Sequence, residues 1–584
     1  MRHFLLTVIG TIVGIIIFLI LTFIFLMVFV LSGGKESKPD QIVLSLDLRG
    51  GVIDHAAGSS LFGSSPINVV DIVQGLQAAK TDDDVKGLYI HVSPMGMAPA
   101  SAEEIRLAIK DFTSSGKFAV AHAQGFEGTS ILGYHAVSSA SEIWQQDTTG
   151  FAVSGLRSEM PFYGGVADKF DAQVQMEQFY EYKNAANVYT QTDFTEAHRE
   201  ATTSLLTSLY DNAVSQIAID RDLSEAKLRS IFESSPHSAE AALEAGLIDR
   251  LGHRIEAVEY VKEKAGGEDT EMQSVTNYAK NRSQSGPVIA LIGGQGPVVM
   301  GQSSNGGTPF MSEITMGGDT VSAAFERAIK DKRVKAIIFR VSTPGGSPTA
   351  SDQIQNATLR AKEAGKPVIV SMGQYAASGG YYVSTHADKI VAMPSTITGS
   401  IGVLGGKIAL RDTYAKIGYN VEAIDVGGEY VGAYSGDEPF TQSQRAAYRG
   451  QLEDIYKDFT QRVADGRGIP IETVLEIAKG RVWTGEQAIG HGLVDELGGL
   501  RTAIKLAKAE ANIDAAETVR LVPFPRPKSQ QEQIAELLDQ MVQVQSDIAA
   551  MREIMASDEI QALLDAKARI DQNRELEAVL PKIQ

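Results

Sequence analysis

Ser378 is the residue in this chain best placed to act as a nucleophile. It stands in Ala376-Ala377-Ser378-Gly379-Gly380, after an apolar β-branched run, Val368-Ile369-Val370, that reads as a buried strand. A helix-compatible stretch over 381–387 follows. A strand, a tight turn of small residues and a helix form the geometry that lifts a serine hydroxyl out at a helix N-terminus. Unpaired N–H groups and the helix dipole there favour a developing negative charge. AASGG departs from the GxSxG pattern, so the stretch alone also fits a Gly-rich turn with an incidental serine. A second stretch narrows the choice. Residues 336–348, AIIFRVSTPGGSP, read as an apolar strand ending in Pro344-Gly345-Gly346. Adjacent glycines let the backbone approach a ligand and point an N–H at it. Acyl transfer needs such a donor opposite the nucleophile's own turn.

The segments STPGGSPTAS, SMGQYAASGGYYVS and PSTITGSIGV resemble the C-terminal half of the signal peptide peptidase A (protease IV) family of membrane-bound bacterial serine peptidases. The resemblance covers nearly the whole chain, including an N-terminal apolar segment and a degenerate first half, and is close to the long two-repeat form. It implies tandem Clp/crotonase-like α/β repeats and a Ser/Lys dyad. It also implies cleavage of signal-peptide remnants after their release. A tetrameric, dome-like assembly and a catalytic body on the periplasmic side of the bacterial inner membrane complete the picture. No cofactor or metal is expected.

A serine hydroxyl needs a base. His386 lies eight residues beyond Ser378, roughly 12 Å along a helix and out of hydrogen-bond reach. It and Asp388 read as surface or helix-end residues. A Ser/Lys pair dispenses with histidine. Lys183 stands in the aromatic-rich Phe179-Tyr180-Glu181-Tyr182-Lys183-Asn184-Ala185, where it could be desolvated. The resemblance maps the dyad lysine, in its YKNA-like motif, onto Lys183. To serve near neutral pH this lysine must fall from ~10.4 toward 7–8, a bias of about 3–4 kcal/mol against the ammonium. The resemblance also assigns Ser400, in Gly399-Ser400-Ile401-Gly402, to holding the lysine; read alone, it fits a turn between strands. The oxyanion donors are expected to be the Gly346 and Gly379 N–H groups, with Gly345 as the fallback for the first.

The elements that position these residues recur. Strand-like QIVLSLDL (41–48), a helix over 69–79, strand VKGLYIHV (85–92) and a helix over 102–112 alternate as in a parallel sheet with crossover helices. Beyond Pro287 the pattern restarts, with PVIALIGG, a helix over 321–329 and a strand over 334–340. EAGLID (244–249) echoes GHGLVD (490–495), and Phe194-Thr195 echoes Phe440-Thr441, both at a spacing of 246 residues. The copies diverge where chemistry would sit. Met95-Gly96-Met97 stands opposite Pro344-Gly345-Gly346, and GTSIL (128–132) opposite AASGG, so Ile131 and Leu132 crowd the turn beside Ser130. Conversely, Glu429 stands where the second half would carry its Lys183. One composite site per chain follows.

With 584 residues the chain is long enough for several cores. A net charge of −19 argues against nucleic-acid binding and against clamping of anionic lipid by the body. The absence of cysteine excludes thiol catalysis and disulfides. Residues 4–31 form an uncharged apolar run, longer than a ~30 Å hydrocarbon core requires and with no A-x-A site after it, and read as a permanent single-pass anchor. The expected divisions are an anchor at 1–34, a lysine-bearing repeat at 41–269, a polar connector at 270–286, a serine-bearing repeat at 287–511 and a helical tail at 512–584. In the tail, Leu537, Met541, Val544, Ile548, Met551 and Met555 form a coiled-coil-like seam after the proline-rich break at 523–527. The alternatives are a crotonase-type acyl-thioester enzyme and a non-catalytic membrane scaffold. Short apolar peptides, signal-peptide remnants among them, are the expected substrates.

Overall fold

The structure is a computed structural model that describes residues 18, 41–55, 67–93, 96–281, 285–304 and 313–526. The expected anchor at 4–31, Met95 and the seam of the tail lie outside the described residues, apart from Phe18. No helix among the described residues is long and apolar enough to cross a membrane.

The first half runs β1 (Ile42–Asp47), α1 (Val69–Ala79), β2 (Val85–His91), α2 (Pro99–Thr113), β3 (Phe118–Ala123), β4 (Glu142–Gln145), β5 (Gln173–Gln178), α3 (Glu196–Asp220), β6 (Arg250–Leu251) and β7 (Glu271–Ser274). Its sheet has the order β6-β4-β3-β2-β1-β7, every pair parallel. The second half runs β8 (Val288–Gln295), α4 (Gly318–Lys330), β9 (Val334–Thr343), α5 (Pro348–Glu363), β10 (Val368–Ala377), α6 (Gly379–Tyr382), β11 (Lys389–Ala392), β12 (Ile397–Gly399) and β13 (Leu404–Ala409). It continues through α7 (Gln442–Arg467), β14 (Val482–Thr484), β15 (Glu496–Leu497), α8 (Leu500–Glu510) and β16 (Arg520–Phe524). Its sheet follows β14-β12-β10-β9-β8-β16, with β11 and β15 branching from β10. Only the β12–β14 pair is antiparallel. The central strand β9 is buried at nine of its ten positions, as expected for a parallel strand covered on both faces.

Strand for strand the sheets correspond: β1 with β8, β2 with β9, β3 with β10, β4 with β11, β6 with β15 and β7 with β16. This correspondence redraws two boundaries. The stretch expected to be a connector, 270–286, contains β7, paired with β1, and a helix over Val275–Asn281 whose Val275 and Tyr278 join the core. A polar edge strand, EMQS, carries little hydrophobic period and reads as linker. Likewise 520–524, assigned to the tail, is β16 on β8.

The halves share one core. Leu291, Ile338, Ile369 and Leu500 pack into the same cluster as Leu44, Leu88 and Ile105. An ion cluster crosses that junction. Arg340, in the middle of β9, donates to Asp54 at 2.9 and 2.7 Å, to Glu104 at 2.7 Å and to Ser371 at 2.9 Å. The three charged side chains are almost wholly buried. Burial alone would raise the Asp54 carboxyl, but the guanidinium outweighs it and holds Asp54 below the usual carboxylate range. A second crossing is the antiparallel ribbon of β5 with β13.

Candidate active site

β10 delivers Ser378 at its C-terminal end, where the chain turns straight into α6. Ser378 has φ 53° and ψ −117°, a strained conformation for a residue with a side chain. Its N–H donates to Gly399 O at 2.8 Å, which ties the turn to β12. Small neighbours make the turn possible. A Cβ on Gly380 would lie 2.7 Å from Thr343 Cγ2, and one on Gly379 2.7 Å from Ser351 Oγ.

The Pro344-Gly345-Gly346 turn folds over this elbow from the end of β9. The two glycines have φ of 105° and 150°, values that favour glycine. A Cβ on Gly345 would come within 2.7 Å of the Gly379 nitrogen. Gly345 N–H donates to Thr343 Oγ1 at 3.1 Å and is engaged there. Val298 N–H bonds Gly345 O at 2.8 Å, and Ser347 N–H bonds Val298 O at 2.9 Å. These bonds straddle Gly346. The N–H groups of Gly346 and Gly379 have no hydrogen-bond partner among the described residues. They are the pair available to an oxyanion. The sixteen-residue α5 begins just beyond, capped by Ser347, so its positive end lies at the same turn.

Lys183 reaches Ser378 from the other repeat. It sits on the loop after β5, which the β5–β13 ribbon holds against the second half. Its Nζ lies 3.0 Å from Ser378 Oγ, 2.8 Å from Ser400 O and 2.9 Å from Ser400 Oγ. Ser400 has φ 49°, and this left-handed turn aims both its oxygens at one amine. Burial alone pushes the Lys183 ammonium down to about 7, because the site strips its water and supplies no carboxylate in exchange. Sequence reasoning missed Gly480. It has φ 84°, and a Cβ there would meet the Lys183 backbone nitrogen at 2.6 Å. Its signal was an isolated glycine between α7 and β14.

The remaining candidates lie elsewhere. His386 Nδ1 is within 3.0 Å of Gln355 Nε2 and Thr385 Oγ1, and Asp388 caps β10 through Val368 N–H at 2.8 Å. Glu429 accepts from Thr441 Oγ1 at 3.3 Å, near the start of α7. In the first repeat Ser130 has an ordinary φ of −71° and caps a short helix, its Oγ accepting from Leu132 N–H at 3.4 Å. Ile131 and Leu132, which replace the two glycines, are buried in the core. Gly96 still lies beside this turn, since a Cβ on it would stand 3.3 Å from Ser130 Oγ, but without the paired glycines the turn keeps ordinary dihedrals.

The arrangement offers a hydroxyl, an amine within reach of it whose burial favours the neutral form, and two N–H donors without a partner among the described residues, which is the equipment for acyl transfer. The model of peptidase family S49 matches residues 112–267 and again 360–514. The chloroplastic serine protease SPPA of Arabidopsis thaliana is 30% identical over 497 residues, 83% of this chain and 72% of that protein. Protease 4 of Salmonella typhi is 31% identical over 516 residues, covering 82% and 80%. A protein of Enterococcus faecium named for signal peptide peptidase SppA is 31% identical over 190 residues, 32% of this chain and 55% of that protein. The family match sets aside the acyl-thioester enzyme and the non-catalytic scaffold.

Proposed function

The chain belongs to peptidase family S49 and is a serine-type peptidase, and we propose that it hydrolyses short hydrophobic peptides, signal-peptide remnants among them, with one composite Ser378/Lys183 dyad per chain. The observation that carries the dyad is the 3.0 Å approach of Lys183 Nζ to Ser378 Oγ in a buried site. Neutral Lys183 takes the proton from Ser378 Oγ as the oxygen attacks the scissile carbonyl carbon. The oxygen of the tetrahedral intermediate accepts from Gly379 and Gly346 N–H. The new ammonium is held by both Ser400 oxygens until its proton passes to the leaving amine. Water then attacks the acyl-enzyme, with Lys183 again as base. The name of the Enterococcus relative supports the substrate class.

The same reading anchors the chain in the bacterial inner membrane through 4–31, with the body periplasmic. It also assembles copies into a homo-oligomer, a tetramer in the resembling family. One feature supports assembly. At the 246-residue spacing, β5 corresponds to 419–424 and β13 to 158–163, and neither segment forms a strand or pairs as one among the described residues. Ile424 is 93% exposed and Val426 87%. Two such unpaired segments, equivalent by the repeat to the strands of the β5–β13 ribbon, can join between copies head to tail.

The test is a fluorophosphonate probe mapped by mass spectrometry. Label is expected on Ser378, absent in Ser378→Ala and absent from Ser130 in both. Label on Ser130 in the Ser378→Ala chain would overturn the single-site reading. For topology, protease added to spheroplasts should digest the body; protection until lysis would reverse the orientation.

A further inference from the structure

The second repeat grips the lysine loop at one further place. β14 lies antiparallel on β12, and just ahead of it Arg481 O accepts the Ser400 N–H at 2.7 Å while Gly480 N–H donates to Ile401 O at 2.9 Å. The backbone that sets Ser400 in its left-handed turn is therefore that of Gly480 and Arg481. The Arg481 side chain leaves in the other direction, toward the first repeat. Its guanidinium is bidentate to Glu200 of α3, at 2.5 and 2.9 Å. It lies 5.0 Å from the ring of Tyr182, the residue before Lys183, and 4.7 Å from that of Trp483. Two further contacts continue the seam along α3: Gln487 Nε2 donates to Ser204 Oγ at 3.3 Å, and Ser208 Oγ meets Thr484 Oγ1 at 2.9 Å. Residues 200, 204 and 208 share one face of the helix.

We propose that Arg481 is a positioning residue for the Lys183–Ser400 pair, locking the lysine loop and α3 of the first repeat onto the strand that shapes Ser400. The proposal rests on the reading of Lys183 as base. A half-exposed ion pair adds little stability, and Glu200 is 50% exposed. The value of this one lies in geometry. Its guanidinium is held by a carboxylate and two rings at once, a fit that a lysine ammonium cannot copy. Of the charged groups on the surrounding elements, Glu181 on the loop, Glu200 on α3, and Lys479 and Arg481 ahead of β14, none contributes to the depression of Lys183, which comes from burial. Loosening the seam admits water to the amine, and the base is lost to protonation.

The test uses the full chain, a fluorescence-quenched apolar peptide, and fluorophosphonate titration to normalise every rate to active sites. Arg481→Met is expected to keep the fold and lower kcat per site by ~10- to 100-fold with little change in KM. The alkaline-rising limb of its pH profile should move up by about one unit. Arg481→Lys should recover only part of this. Glu200→Gln, at an exposed position, should shift the limb in the same direction and serves if Arg481→Met does not fold. A folded Arg481→Met or Glu200→Gln chain with wild-type turnover and pH limb overturns the proposal. So does a fall in melting temperature alone, with the profile of the remaining sites unmoved. Lys183→Ala separates the two readings: if it is active, the dyad fails; if it is dead while the seam variants are normal, only the seam proposal fails.

Discussion

At the scale of the residue, Ser378 was legible because its cues are local: a strand, small residues and a helix start within a dozen positions. Gly345 and Gly346 were legible for the same reason, but not their division of labour, which depends on the Thr343 hydroxyl claiming one N–H. Lys183 was harder. It is 195 residues from Ser378, and only the repeat register and the family resemblance point to it. Its depression to about 7 carries a stability consequence. Below that pH both folded and unfolded chains hold the proton, and the full cost of burying the ammonium is present. Between about 7 and 10.4 only the unfolded chain is protonated, so stability rises with pH through that window, by about 5 kcal/mol in total. Lys183→Met should therefore raise the melting temperature at neutral pH, with the gain shrinking toward pH 10. A gain that does not change with pH would show that the amine is solvated. Lys183→Arg should be inactive, since guanidinium keeps its proton. Glu429→Ala and Ser130→Ala should be nearly silent.

At the scale of the element, strands with continuous apolar runs such as β8, β9 and β10 were visible, and short edge strands were not. EMQS and the 520–524 stretch derive their strand character from the partners β1 and β8, a long-range cause that local pattern does not carry. This gives a truncation its meaning. A chain ending after Arg526 keeps β16 and should fold and label at Ser378. A chain ending at Ala511 removes that strand, baring the ladder of β8 and the core that Val522 and Phe524 pack against. It should melt lower or aggregate. Equal melting temperatures for the two truncations, read by circular dichroism, would contradict the strand assignment.

At the scale of the whole molecule, duplication supplies two scaffolds, and divergence leaves a serine turn in one and a lysine loop in the other. The site exists only while the halves are docked. Arg340 belongs to that docking. The arginine inside AIIFRVST passed as part of an apolar strand, because its partners Asp54 and Glu104 lie 286 and 236 residues away. Arg340→Met strands two buried carboxylates and should cost about 3–5 kcal/mol, read as a lower denaturant midpoint; an unchanged midpoint would mean that the cluster is hydrated. Assembly has its own test: Ile424→Asp with Val426→Asp should reduce the sedimentation size of the detergent-solubilised chain, and an unaltered size would remove 419–427 from any interface. The central claim, that one lysine from the first repeat activates one serine from the second, is tested most directly by the rate of fluorophosphonate acylation of Ser378 across pH in wild-type and folded Lys183→Ala chains. The wild-type rate should rise through an apparent pKa near 7, and the variant should be slower by at least ~10²-fold with that limb gone. A folded Lys183→Ala chain acylated at the wild-type rate, on the wild-type pH curve, would contradict it.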